Sequence, residues 1–310
     1  MVRERSSRSA VGGVLALITM MMITVVGTGI AGAASYRGSW SGFNGPIAVT
    51  ATPYGIFVAD NGRVQEFSHS GQHFRTYCCW GNQALRGEPS GIAVGRDRTV
   101  YVTDPTLQRI EVFASNGTHV RSIGAPGVAG NPVGYLAQPR GIVLSPDGYS
   151  LYVADRGRER IDRYSTSGQG LSSILMPLIG SRRPLPWGLA FGPNGDLYVA
   201  TGQWVEELTP AGQLVRYWGA GGGTTNAFTD AIGVAVGDQG RIFVVDSGTL
   251  GSGLFPGRVQ EFTPEGQFMT QWGNTSNASS RLNRPEGIAV LGTNVYIVSA
   301  NNGRLEHYLA

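Results

Sequence analysis

Gly91-Ile-Ala-Val94, Val100-Tyr-Val-Thr-Asp104 and Arg109-Ile-Glu-Val-Phe113 are three short runs separated by turns, and the trio recurs along the whole chain. The first run returns as Pro46-Ile-Ala-Val49, Gly141-Ile-Val-Leu144, Gly188-Leu-Ala-Phe191, Gly233-Val-Ala-Val236 and Gly287-Ile-Ala-Val290. The second returns as Ile56-Phe-Val-Ala-Asp60, Leu151-Tyr-Val-Ala-Asp155, Leu197-Tyr-Val-Ala-Thr201, Ile242-Phe-Val-Val-Asp246 and Val295-Tyr-Ile-Val-Ser299. The third opens on Arg63, Arg160, Trp204, Arg258 and Arg304. A period of roughly 45–55 residues built from short strands is that of a four-stranded propeller blade, not of a helical solenoid.

The first two runs are apolar at nearly every position, so both of their faces must be covered, as they are when blades stack side by side. Mid-run small residues (Ala48, Ala93, Ala190, Ala235, Ala289, with Val143 the exception) suit strands that converge on an axis. The third run alternates, as Val64 and Glu66 against Gln65 and Phe67, which predicts a more peripheral strand. A last run ends in Trp80-Gly81, Trp218-Gly219 or Trp272-Gly273. The sixth unit stops after its third run, while Tyr36-Arg-Gly-Ser-Trp40 reads as an unclaimed fourth. The expectation is an all-β, six-bladed propeller of four-stranded antiparallel blades, its last blade closed by the N-terminal strand, which removes the free edges.

The order Gly-Ile-Ala-Val, Tyr-Val-Ala-Asp, Arg-Ile-Glu-Val-Phe, Trp-Gly resembles the NHL repeat family of six-bladed propellers from about Tyr36 to the end. The namesake Asn-His-Leu is absent; Gln108-Arg109 and Glu159-Arg160 stand in its place. That family includes lyases, RNA-binding modules and sensors, so the resemblance implies a fold more than an activity.

Residues 1–34 read as a signal peptide or an uncleaved signal anchor. Arg3, Arg5 and Arg8 precede an uncharged stretch over 10–34 that ends in Ala31-Gly-Ala33. Either reading exports the propeller, residues 35–310, to the secreted or cell-surface side, with membrane anchorage through residues 10–34 as the alternative. All 24 basic residues are Arg, which excludes Schiff-base, P-loop and Ser-Lys chemistry. Cleavage after Ala33 would remove three Arg and Glu4, leaving 21 Arg against 20 acids. That near-neutral balance does not argue for nucleic acid. Gly27-x-Gly29-x-x-Gly32 spells a dinucleotide fingerprint but lacks the βαβ unit that would use it. Cys78 and Cys79 are adjacent, with a Cα separation of ~3.8 Å that is too short for an ordinary disulfide; they are read as free thiols.

Asp60, Asp104, Asp155 and Asp246 close four of the second runs, and each of those units opens its third run with Arg. The unit lacking the acid, at Thr201, lacks the Arg too. This joint loss predicts ion pairs Asp60–Arg63, Asp104–Arg109, Asp155–Arg160 and Asp246–Arg258. The competing reading is a ring of four axial carboxylates able to take calcium, with no other cofactor expected. Ser299 breaks the pairing and leaves Arg304 unpaired, which together with Trp204 marks that face for ligand binding. Leu254, Phe255 and Tyr135 lie in the longest loops of the same face and join them as anchors.

His69, His73, His119 and His307 are too scattered for an axial zinc site or an axial base. The expected function is a binding module at the cell envelope, monomeric, for a peptide, polysaccharide or partner protein. The alternative is a metal-dependent lactonase or lyase on the axial channel.

Overall fold

The computed structural model describes residues 34–78, 89–126, 133–222, 224–248, 257–274 and 281–310. Residues 1–33, and with them nearly all of the leader, lie outside the described residues. So do Cys79, Leu254 and Phe255.

Six four-stranded antiparallel sheets follow one another around a ring. Blade 1 runs through Pro46–Thr52, Gly55–Asp60, Arg63–Phe67 and His73–Cys78. The inner strands of blades 2 to 6 are Gly91–Val94, Pro139–Leu144, Leu189–Phe191, Ala231–Val236 and Pro285–Leu291. The N-terminal strand Ser35–Ser41 pairs with Arg304–Leu309, Trp40 opposite Leu305, and supplies the outer strand of blade 6. Closure is therefore as the sequence predicts. Trp40 fixes it by stacking on Tyr296 and on Phe67 of blade 1, with centroids at 5.9 and 6.5 Å.

The core is not one body but six wedges, one between each pair of neighbouring blades. Each second strand carries an aromatic ring into its wedge: Phe57, Tyr101, Tyr152, Tyr198, Phe243 and Tyr296. Directly across the ladder lie Thr50, Ala93, Val143, Ala190, Ala235 and Ala289. The small mid-strand residues thus face an aromatic partner across the ladder, and blade 1 supplies Thr50 where the sequence reading placed Ala48. The phrase Pro46-Ile-Ala-Val49 is two residues out of register with its counterparts.

Ala48 instead matches the glycines Gly91, Gly141, Gly188, Gly233 and Gly287. A Cβ on Gly141 would stand 2.5 Å from the Trp187 carbonyl, and one on Gly188 would stand 2.7 Å from the Ile232 carbonyl. Crowding between neighbouring inner strands is what these glycines relieve.

The third strands stand outside the first two, as their alternation predicts, but the alternation does not separate a wet face from a dry one. Their polar residues do not face water: Glu66, Glu111, Asp162, Glu206, Gln260 and Glu306 are all fully buried. The next blade covers the second face of each third strand, so the alternation marks a buried polar layer and not a solvated side.

Candidate functional site at the axial mouth

Every inner strand begins on the same end of the ring, so the residue just before each glycine comes to the axis. In five blades that residue sits in a Pro-x-Gly or Ala-x-Gly step, and in blade 1 in Pro46-Ile-Ala. The six are Ile47, Ser90, Arg140, Trp187, Ile232 and Glu286, and they frame an axial cavity of about 110 Å³. Its floor is a ring of Val49, Ile92, Ile142, Leu189, Val234 and Ile288, each 5–8% exposed. The same six aliphatics roof a second, wider cavity of about 340 Å³ that opens on the opposite face among Thr50, Leu144, Phe191 and Val290. The channel is therefore divided by an aliphatic septum, and charge is confined to one mouth.

Trp187 is held there by backbone bonds. Its N–H donates to the Ala200 carbonyl (2.9 Å), and its own carbonyl accepts from Gly141 of blade 3 (2.8 Å). Two guanidinium groups lean on the indole, Arg140 at 5.0 Å and Arg156 at 4.5 Å from the centroid. Arg156 comes from the short 3-10 turn Arg156–Arg158 that follows Asp155.

Across the mouth, Glu286 pairs with Arg284 at 2.6 Å. Burial raises the Glu286 carboxyl above its ordinary pKa and Asp230 adds to the rise, while Arg284 and Arg140 oppose it. Asp230 is raised as well, first by burial and then by the charge of Asp246, against Arg156. The mouth thus has a basic, aromatic side in blades 3 and 4 and an acidic side in blades 5 and 6.

The four strand-closing aspartates do not line this channel. They are buried and bind loop backbone. Asp60 accepts from Asn44 N (2.6 Å), and Asp155 from Ala137 and Gln138 N (3.0 and 2.9 Å). Asp246 accepts from Asp230 N (2.9 Å), and Asp104 from Leu107 N (2.9 Å). In blade 6, Ser299 Oγ accepts from Asn283 N (2.9 Å) in the same way. In blades 1, 3, 5 and 6 these bonds fasten the segment leading into the inner strand, and so set the mouth residues in place. Among the described residues no three His, Cys, Asp or Glu side chains converge as a metal cluster.

The Asp–Arg pairs divide into two sets. Arg63 meets Asp60 at 2.8 Å and Arg258 meets Asp246 at 3.1 Å. Arg109 pairs instead with Glu111, and Arg160 with Asp162 at 2.9 Å, while Asp155 takes Arg158 at 3.4 Å. The expected partners Asp104 and Asp155 thus give way to acids on the third strand itself, and the reason lies two residues on. Where that residue is neutral (Gln65, Gln260) the Arg turns to the strand-closing Asp. Where it is acidic (Glu111, Asp162) the Arg pairs within its own strand, because side chains at i and i+2 share a face.

Blade 4 carries the acid with Trp204 in place of the Arg, and blade 6 departs from the rule, because Arg304 acts on Glu306 without closing to ion-pair distance among the described residues. Glu206 and Glu306 are fully buried, and neither carboxyl oxygen of either has a hydrogen bond of ordinary length. Burial raises both to about 7, opposed by the Thr201 hydroxyl at Glu206 and by Tyr36 and Arg304 at Glu306.

Neither Arg304 nor Trp204 is at the axial mouth. Arg304 opens a third strand and Trp204 immediately precedes one, so both stand two strands out from the axis. The Tyr135 carbonyl accepts from Arg158 (2.5 Å) and Arg160 (3.1 Å), which ties its loop to blade 3.

The histidines lie away from the mouth: His69 meets Thr52 O, His73 Thr76, His119 Glu111 and His307 Asn294. Arg140, Trp187 and Glu286 escape a reading that starts each repeat at its glycine. The position between proline and glycine, variable where its neighbours repeat, is the signal that finds them.

No protein-family model matches the chain, and no curated protein sequence does. Solved structures do. A catalytically inactive histidine-to-alanine virginiamycin B lyase from Staphylococcus aureus with quinupristin has TM-score 0.60 at 15% identity, covering 86% of this chain and 80% of that one. A putative gluconolactonase has TM-score 0.62 at 18% identity over 89% and 92%. A protein of unknown function from Bacteroides thetaiotaomicron has TM-score 0.65 at 16% identity over 89% and 73%. At these identities the likeness is one of fold, and the chain is a six-bladed β-propeller.

Proposed function

We propose that this chain is an NHL-type propeller exported to the cell envelope as a ligand-binding module, with its ligand seated on the axial mouth framed by Arg140, Trp187 and Glu286. One observation carries the reading. Six structurally equivalent positions hold an arginine, a tryptophan, a glutamate and three smaller residues, above an apolar floor. An indole with flanking guanidinium groups is a contact surface of low conformational entropy, and opposed charges supply direction. The described segments leading into the inner strands reach this face, and connections of this kind are where binding residues concentrate on repeat folds. Arg304 and Trp204, farther from the axis on that face, form an outer zone for larger ligands.

The test is a thermal-shift and calorimetric panel of amino acids, short peptides, oligosaccharides and sugar lactones. A hit whose binding is lost in Trp187→Ala and kept in Asn116→Ala, on the opposite face, supports the reading. Binding unaffected by Trp187→Ala overturns it.

A second reading draws on the lyase and lactonase neighbours and on the raised pKa of Glu286 and Asp230. A half-buried carboxyl of this kind suits proton transfer. Turnover of a lactone that is lost in Glu286→Gln would favour it over simple binding.

A further inference from the structure

Blade order fixes which mouth residues face one another, because positions three blades apart lie across the axis. Arg140 of blade 3 is opposite Glu286 of blade 6, Trp187 of blade 4 is opposite Ile47, and Ser90 is opposite Ile232. A cation and an anion therefore oppose each other over an aliphatic floor, with an indole to one side.

Each charge has a like neighbour. Arg156 shares the indole with Arg140, at 4.5 and 5.0 Å, so two guanidinium groups crowd one ring. Asp230 lies close enough to Glu286 to raise it. Like charges held together in a half-buried site are unfavourable, and a guest of opposite sign favours each side. Arg284 offsets Glu286 from the outside, its side chain 46% exposed, and Arg140 does so from across the mouth. The cavity, about 110 Å³, is well below the ~300 Å³ at which drug-sized pockets begin. Beneath it, the septum from Val49 to Ile288 offers no polar side chain.

We infer that the mouth takes a small zwitterion, a free amino acid or dipeptide, with its carboxylate on the Arg140–Arg156 side, its ammonium on the Glu286–Asp230 side and its apolar part against Trp187 and the septum. This rests on the reading of the mouth as the ligand site and narrows it to one chemistry. A neutral sugar would bring no charge to either side, and a simple anion or cation would match only one.

The experiment is calorimetric titration of the full chain with glycyl-leucine and with its N-acetylated, C-amidated and doubly blocked forms. Each blocked charge is expected to weaken binding about tenfold, the value of one charge-assisted hydrogen bond. Two substitutions assign the ends. Glu286→Gln should erase the preference for the free amine and keep that for the free carboxylate, while Arg140→Gln should do the reverse. Near-UV circular dichroism confirms that both variants remain folded.

Equal affinity for free and blocked forms, or no binding of glycyl-leucine or any of the twenty amino acids at millimolar concentration, overturns the zwitterion. If a blocked peptide or an oligosaccharide then binds in a Trp187-dependent way, the mouth stands as a site and only its chemistry is wrong. Binding of glycyl-leucine that survives Trp187→Ala overturns both.

Discussion

Replacing Glu206 with glutamine should stabilise the protein by an amount that grows as pH rises from 4.5 to about 7 and then levels off. The carboxyl is fully buried, neither oxygen has a hydrogen bond of ordinary length, and Thr201, the nearest help, gives its hydroxyl to the Trp204 carbonyl at 3.0 Å. Burial lifts the group from 4.5 to about 7. A folded-state value above the unfolded one means that the native protein holds a proton which the unfolded chain releases between pH 4.5 and about 7. Stability from this group is therefore intact below 4.5, falls through that window and stays low above it. The gap between 4.5 and about 7, at 1.36 kcal/mol per pH unit, gives a penalty of about 3 kcal/mol at pH 8 and under about 1 kcal/mol at pH 5. Glu206→Gln puts an uncharged group of the same shape in place of the ion. Its melting temperature should exceed the wild-type value by roughly 6–10 °C at pH 8, with only a small difference at pH 5. Calorimetry or urea unfolding at the two pH values measures this. A gain that is the same at both, or no gain at pH 8, would show that Glu206 is solvated or paired and refute the reasoning.

Deleting residues 36–44 removes the outer strand of blade 6 and takes Trp40 from the blade 6–blade 1 wedge, and should lower the melting temperature of the whole ring. An unchanged transition would remove this strand from the fold. Double-mutant cycles should show coupling for Asp60–Arg63 and Arg160–Asp162 and little for Asp155–Arg160, with about 1 kcal/mol or more separating the sets. Coupling strongest at Asp155–Arg160 would contradict the two-residue rule. Gly141→Val places a Cβ 2.5 Å from the Trp187 carbonyl oxygen and should cost about 3 kcal/mol or more, read by urea unfolding.

The architecture was legible because it is repeated. Tyr101, Tyr152 and Tyr198 recur in register opposite Ala93, Val143 and Ala190, and chance does not repeat such pairs. Closure was legible because the sixth unit lacks a fourth run and Tyr36-Arg-Gly-Ser-Trp40 reads as one with no blade before it. Charge pairing was half legible. Asp60 and Arg63 announce themselves, yet the partner of Arg160 depends on Asp162, a residue the repeat comparison did not single out. Burial of the third strand comes from the neighbouring blade, and no pattern within one strand records that. The mouth was missed for a related reason. Arg140, Trp187 and Glu286 are far apart in sequence and unlike one another, and they meet only because each precedes a glycine that lets two inner strands touch. What draws the eye in a repeat is what recurs, whereas this site is built from the one position that does not.

The measurement that bears most directly on the axial mouth as the binding site is a crystal structure of the protein with the best ligand from the binding panel. Ligand density is predicted above the Val49–Ile288 septum, in contact with the Trp187 indole and within hydrogen-bonding distance of Arg140 or Glu286. Density in the wider cavity beside Phe191, or on the outer rim with the mouth empty, would contradict that assignment.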